Sequence, residues 1–191
     1  MLRLTGGEWN GLTFATPAHI RASEQKVRQA LFNILAARVL GARVLDGFAG
    51  SGALGFEALS RGAAFAVFLE SHPACLRALR SNLSRIDRGR WELIPGDLLR
   101  TLPRLARHHP PFDLILLDPP YEAGLEKNLL NAVGRCGILA PAGILCMEHA
   151  ARHEPPVSLG SLSLMKQHRY GGTVLSFYQP EDDAGDLSGD L

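Results

Sequence analysis

The sequence is poor in the residues that build metal centres and disulfide frameworks. Its 191 residues include three cysteines, Cys75, Cys136 and Cys146, far apart and with no Cys-x-x-Cys pair. An odd, scattered set fits buried small apolar side chains in a reducing compartment better than disulfides or zinc. The seven histidines show no metal-ligand spacing either, so no metal is expected. No run approaches the roughly 18 apolar residues of a membrane span. The opening Met1-Leu2-Arg3-Leu4-Thr5-Gly6-Gly7 lacks a signal-peptide core. A cytoplasmic location and no membrane partner are the expectations.

A large excess of one charge is also missing, since the formal net charge is +1. That value hides an asymmetry. Residues 181–191 carry Glu181, Asp182, Asp183, Asp186 and Asp190 and no base. Without those five acids, 20 basic residues face 14 acidic ones, leaving the body at +6. Such a balance favours a polyanionic partner, and the tail reads as a disordered, solvated terminus. With 46% apolar and 20% charged residues, residues 1–180 are expected to form one domain and a monomer. Within it, 1–42 would be an N-terminal hairpin and helix and 43–180 the core.

What the sequence does hold is organised around Val44 to Gly55, Val-Leu-Asp-Gly-Phe-Ala-Gly-Ser-Gly-Ala-Leu-Gly. An apolar run ends in an acid, glycines fall at 50, 52 and 55, and an Ala/Leu-rich segment follows. The pattern predicts a buried strand, a tight turn and a helix whose first N–H groups face a ligand. Further strands are predicted over Phe65–Leu69, Trp91–Ile94, Phe112–Leu117 and Gly143–Met147. Helices are predicted over Ala53–Arg61, Pro73–Ile86, Leu98–Arg107 and Leu125–Arg135. This alternation argues for an α/β, Rossmann-like parallel sheet. The strands Leu162–Lys166 and Thr173–Tyr178 are separated by too short a turn for a parallel crossover, so they must be antiparallel. Upstream, Gly6-Gly7 reads as a hairpin turn. Ser23 reads as the cap of a helix that carries Val27, Leu31, Ile34 and Leu35 and ends at Gly41. Arg21, Lys26 and Arg28 read as an exposed basic face, beside a ligand or simply solvated.

Ligands of open α/β sheets bind beyond the carboxyl ends of the strands. Asp46, Glu70, Asp97 and Asp118 fall at or near four such ends. Glu70, about 20 residues after Gly50, suits a bidentate grip on ribose hydroxyls, and Asp97 could sit beside an adenine amine. After Asp118 come Pro119, Pro120 and Tyr121. The prolines stiffen the backbone and aim carbonyls outward. Asp118 and that backbone are two acceptors for an exocyclic amine, and Tyr121 is a face for its ring. A nicotinamide oxidoreductase would share the glycines and Glu70 but not this tetrapeptide. A non-catalytic RNA-docking scaffold would share the charge but has no need of the acids.

The glycine turn together with Asp118-Pro119-Pro120-Tyr121 resembles class I S-adenosylmethionine-dependent methyltransferases acting on nucleic-acid amines. More narrowly, the chain resembles the bacterial small-subunit (16S) ribosomal RNA guanine-N2 methyltransferases of the RsmD type. The likeness takes in Gly6-Gly7-Glu8-Trp9-Asn10-Gly11, Leu31-Phe32-Asn33 and Asp46 through Gly55. It continues through Glu57 to Ala63 and ends at Arg169-Tyr170-Gly171. It departs from the family at Ala22, Gln25 and Gln29, where the family usually has proline and acids. The resemblance implies that Asp46, Phe48, Gly50, Ser51, Gly52, Glu70 and Asp97 hold S-adenosylmethionine. It implies that Asp118, Pro119 and Tyr121 hold the guanine, and that Arg21, Lys26 and Arg28 hold ribosomal RNA. The substrate it implies is a partly assembled small ribosomal subunit.

Overall fold

The computed structural model describes residues 1–17, 25–120, 124–153 and 156–181. Four mostly apolar, mostly buried strands form the parallel centre of one sheet. They are β3 (Arg43–Asp46), β4 (Phe65–Glu70), β6 (Phe112–Leu117) and β7 (Leu139–Ala150), which runs parallel to β6 as far as Met147. β5 (Trp91–Pro95) closes one edge. At the other lie β10 (Thr173–Pro180), β9 (Leu162–Tyr170) and β8 (Ser158–Leu159). The order is β5-β4-β3-β6-β7-β10-β9-β8, with β10 antiparallel to both of its neighbours. A mostly parallel sheet with an antiparallel ending is what the sequence predicts.

Helices cover both faces. On one lie α1 (Gln25–Ile34), α2 (Ala36–Val39), α3 (Ala53–Ser60) and α4 (Pro73–Leu83), with a hairpin of β1 (Leu2–Arg3) and β2 (Thr13–Phe14). On the other lie α5 (Leu98–His108) and α6 (Leu125–Cys136). The hairpin and α1 share the core of the sheet, through Leu2, Phe14, Val27, Leu31 and Phe32. They are built into the domain rather than appended to it.

Several predicted boundaries move. The single helix expected from Ser23 to Gly41 bends at Leu35, where Arg38 N–H bonds the Leu35 carbonyl and a second short helix begins. The bend buries Leu35 and Val39 and leaves Ile34 exposed at 40%, so Ile34 is not the core residue its spacing suggested. Ser23, the predicted cap, lies outside the described residues. Helix α4 stops at Leu83 rather than Ile86. β7 starts at Leu139 and runs on to Ala150, well past both ends of the predicted Gly143–Met147. β9 reaches Tyr170, and the two-residue β8 has no counterpart in the sequence reading.

A buried charge cluster ties the N-terminal elements to α3. The Glu57 carboxylate, 0% exposed, accepts from Thr5 N–H at 3.0 Å, Thr5 Oγ1 at 2.6 Å and Arg61 Nε at 2.9 Å. Arg28 Nε stands 3.3 Å from it, and Arg28 Nη2 donates to the Arg3 carbonyl at 2.6 Å. Arg28 is therefore interior, at 2% exposure. It is not on the exposed basic face predicted with Arg21 and Lys26. Its side chain is drawn inward because Glu57 could not stay buried uncompensated. Desolvation lowers the Arg28 pKa, and Glu57 opposes that shift. Gly7, at φ 77°, fits against the Ser60 carbonyl, where a Cβ would collide. Removing one member of a buried ion pair costs roughly 3–5 kcal/mol. Glu57→Ala is accordingly expected to lower the free energy of urea unfolding by about that much. A loss below roughly 1 kcal/mol, the level of a surface pair, would contradict the reading.

Candidate active site

Strand β3 ends in Asp46, and the chain then has to turn sharply into α3. Gly50 (φ 53°) and Gly52 (φ 85°) adopt left-handed backbone that side chains disfavour. The Gly52 N–H closes the turn on the Ala49 carbonyl at 2.6 Å. Gly55 serves a different purpose, since a Cβ there would collide with the Phe68 ring of β4. Asp46 Oδ2 accepts the Gly55 N–H at 2.9 Å and so fixes the first turn of the helix to the end of the strand. Ser51 is buried within the turn, and Phe48 is half-buried against the second core layer.

Register places the other acids beside Asp46. β3 pairs β4 with Asp46 opposite Phe68, and it pairs β6 with Asp46 opposite Leu116. Side chains alternate along a strand, so Glu70 and Asp118, each two residues further on, share a sheet face with Asp46. Glu70 Oε2 accepts the Gly50 N–H at 2.6 Å. Its Oε1 accepts those of Ser71 at 2.7 Å and His72 at 2.6 Å. The carboxylate is therefore held rigidly at the glycine turn. Asp97 is exposed and caps α5, accepting the Arg100 N–H at 3.0 Å. The Gly96 N–H bonds the Glu70 carbonyl at 2.8 Å, which keeps that cap beside the end of β4. Asp118 is half-buried and Pro119 buried. Tyr121 and Arg21 lie outside the described residues, and Lys26 is exposed.

A fifth acid, absent from the sequence prediction, completes the edge. β6 pairs β7 with Leu116 opposite Cys146 and Leu117 opposite Met147. Continuing that register sets Glu148 beside Asp118, and Glu148 is only 7% exposed. Burial, with Glu148 and Asp118 both nearby, pushes the Cys146 thiol well above its ordinary value. The signal was present, because Glu148 closes its parallel run just as Asp46, Glu70 and Asp118 close theirs.

Burial dominates the electrostatics. Asp46 is 1% exposed, and desolvation raises its pKa from 3.8 to about 7. The Gly55 N–H opposes that rise, while Asp118 and Glu70 add to it. Asp46 Oδ1 is buried with no hydrogen-bond partner. Burial and Glu70 also raise the Cys75 thiol to about 11, so it is protonated and unreactive at neutral pH. An orphaned buried acceptor, a fixed carboxylate and a glycine turn fit a cofactor carrying cationic and hydroxyl groups. Among the described residues, no three His, Cys, Asp or Glu form a group that could hold a metal ion.

The sequence model of the family described as Conserved hypothetical protein 95 matches residues 2–179. The chain belongs to that family. The Ribosomal RNA small subunit methyltransferase D of Escherichia coli (strain K12) is 32% identical over 182 residues, covering 94% of this chain and 90% of the relative. The Haemophilus influenzae protein of the same name is 30% identical, over 93% of each chain. The solved structure of the Escherichia coli protein yhhF superposes with a TM-score of 0.81 at 33% identity, covering 94% of this chain and 98% of that one. The resemblance read from the sequence is borne out, and so is the fold class.

The raised Asp46 pKa yields a stability test. A carboxyl whose pKa rises on folding is harmless below its ordinary value and destabilises as pH climbs from 3.8 through about 7. Asp46→Asn keeps an acceptor for Gly55 without the charge. Thermal melts should place it several degrees above the unaltered protein at about pH 8, with the gap closing near pH 4. A gap independent of pH would contradict the burial of a charged Asp46.

Proposed function

We propose that this protein transfers a methyl group from S-adenosylmethionine to the exocyclic N2 amine of a guanine in small-subunit ribosomal RNA. The observation that carries the reading is the row Glu70, Asp46, Asp118 and Glu148, on one face at the ends of four adjacent parallel strands. Relatives named small-subunit ribosomal RNA methyltransferases support the RNA class. The body charge of +6 supports a polyanion. No described helix is long and apolar enough to cross a membrane, which accords with action on ribosomal particles in the cytoplasm.

S-adenosylmethionine supplies an electrophilic methyl group. In this reading the chain binds it with Glu70 at the ribose, Asp97 at the adenine side and the turn from Asp46 through Phe48, Gly50, Ser51 and Gly52 at the amino-acid part. Asp118 and the Pro119 carbonyl accept the two amine hydrogens, and Tyr121 stacks on the base. An arylamine is a poor nucleophile because its lone pair is delocalised into the ring. Acceptors that favour a pyramidal nitrogen restore that lone pair and aim it, so catalysis is positioning and electrostatics. The N–C bond would form as the sulfonium S–CH3 bond breaks, with S-adenosylhomocysteine leaving, and the methylated amine would give up one proton to Asp118 or water.

Glu148 favours guanine over the other amine-bearing bases. The guanine amine sits next to an N1–H donor, whereas the amines of adenine and cytosine sit next to a ring nitrogen lone pair. A carboxylate beside Asp118 accepts from N1–H and repels the lone pair. The same Asp118 could orient any exocyclic amine, so this second acid supplies the choice.

Single-turnover methylation tests both roles. Asp118→Ala should retain cofactor affinity within a few-fold and lose roughly 10²–10³ in rate. Asp118→Asn, which keeps a carbonyl acceptor, should retain far more. Full rates in both variants would remove Asp118 from the chemistry. Glu148→Gln should narrow the preference for a target guanine over 2-aminopurine, which has the amine but no N1–H. An unchanged preference in a folded variant would exclude Glu148 from base recognition.

A further inference from the structure

We propose that the β5 edge of the sheet is an RNA-docking exosite that grips phosphates away from the methyl-transfer end. This rests on reading the substrate as RNA. Between residues 73 and 109 the chain carries eight arginines and three acids, so this stretch holds +5 of the body's +6. Helix α4 contains no acid and exposes Arg77 and Arg80 three residues apart, which places them on one face. The 3-10 turn Arg88–Arg90 then exposes Arg88, whose guanidinium stacks 4.0 Å from the centre of the Trp91 ring. Arg80, Arg88 and Trp91, with Phe65, Glu92 and Leu93, line a cleft of about 600 Å³ along the outer edge of the sheet.

The nearby acids are engaged, and the key bases are not. Asp87 accepts the Gly89 N–H at 3.0 Å, Asp97 caps α5, and Glu92 lies 3.6 Å from the His109 imidazole. Among the described residues, Arg77, Arg80 and Arg88 pair with no carboxylate. Planar guanidinium forks match phosphate oxygens, and stacking on an indole holds one fork in place before binding. Trp91 is opposite Ala66 at the start of β5, and Pro95 is opposite Glu70 at its end. At about 3.3 Å per residue, the cleft lies roughly 13 Å along the strand from the cofactor end. One RNA can reach both, which gives a small domain a second hold on a large substrate. The occupant is RNA rather than an acidic protein, because the established partner class of the relatives is ribosomal RNA and the cleft joins stacking surface to phosphate-type donors.

The test uses the full chain with Arg77→Ala, Arg80→Ala and Arg88→Ala combined, all at exposed positions. Binding to purified small-subunit ribosomal RNA is titrated across salt concentrations, alongside calorimetry with S-adenosylhomocysteine. The slope of log affinity against log salt should become shallower by about 2–3, one for each lost phosphate contact. Affinity for S-adenosylhomocysteine and the rate at saturating RNA should not change. An unchanged slope overturns the exosite. Weakened binding to assembled subunits with unaltered binding to free RNA also overturns it, since the surface would then read a ribosomal protein. Failure of the unaltered protein to methylate any RNA would count against the proposed function and leave this salt comparison readable.

Discussion

Asp46 has to meet two opposing demands. Its carboxylate must hold the Gly55 N–H so that helix α3 starts in the right place, yet that position is almost free of solvent. Burial is the largest of the influences that raise its pKa to about 7; the nearby carboxylates Asp118 and Glu70 add to the rise, and the Gly55 N–H opposes it. A fold selected only for stability would not collect acids there. The arrangement makes sense when a ligand compensates the unpartnered Oδ1 and the crowded charge. The parallel register does the collecting: once β3, β4, β6 and β7 align, residues that end each strand on the same face must meet.

Helix α3 carries this geometry and is anchored at both ends. Its first turn is fixed by Asp46, and its last by the Glu57 cluster and by Ser60. Ser60 Oγ donates to the Gly6 carbonyl at 2.6 Å and accepts the Trp9 N–H at 2.9 Å. On the same helix, Phe56 stacks on Phe14 of the hairpin at 4.3 Å between ring centres. The N-terminal hairpin thus stiffens the element that shapes the glycine turn. Stability built into one end of the helix supports positioning at the other.

Much of this was legible from the sequence, and what escaped it did so for physical reasons. Glycines at positive φ and acids after apolar runs are local signals, so the turn and most of the site acids could be read directly. Arg28 could not, because its partner Glu57 lies 29 residues away and nothing in the helix spacing distinguishes a buried cation from a solvated one. Glu148 follows the predicted fifth strand as directly as Asp118 follows the fourth, and it is the β6–β7 register, with Leu117 opposite Met147, that sets it beside Asp118. The arginines of the β5-edge cleft come from helix α4 and the 3-10 turn after it, and only folding sets Arg80 and Arg88 around one cleft with Trp91. The Leu35 bend is likewise tertiary, since it lets both Leu35 and Val39 reach the core.

Nucleoside mass spectrometry of small-subunit ribosomal RNA, methylated by the purified protein with S-adenosylmethionine, tests the central claim most directly. The carboxylate row and its reading of the guanine edge predict a single new modified nucleoside, N2-methylguanosine. A methylated adenosine or cytidine in its place would contradict that account, because neither base offers the N1–H donor beside its amine.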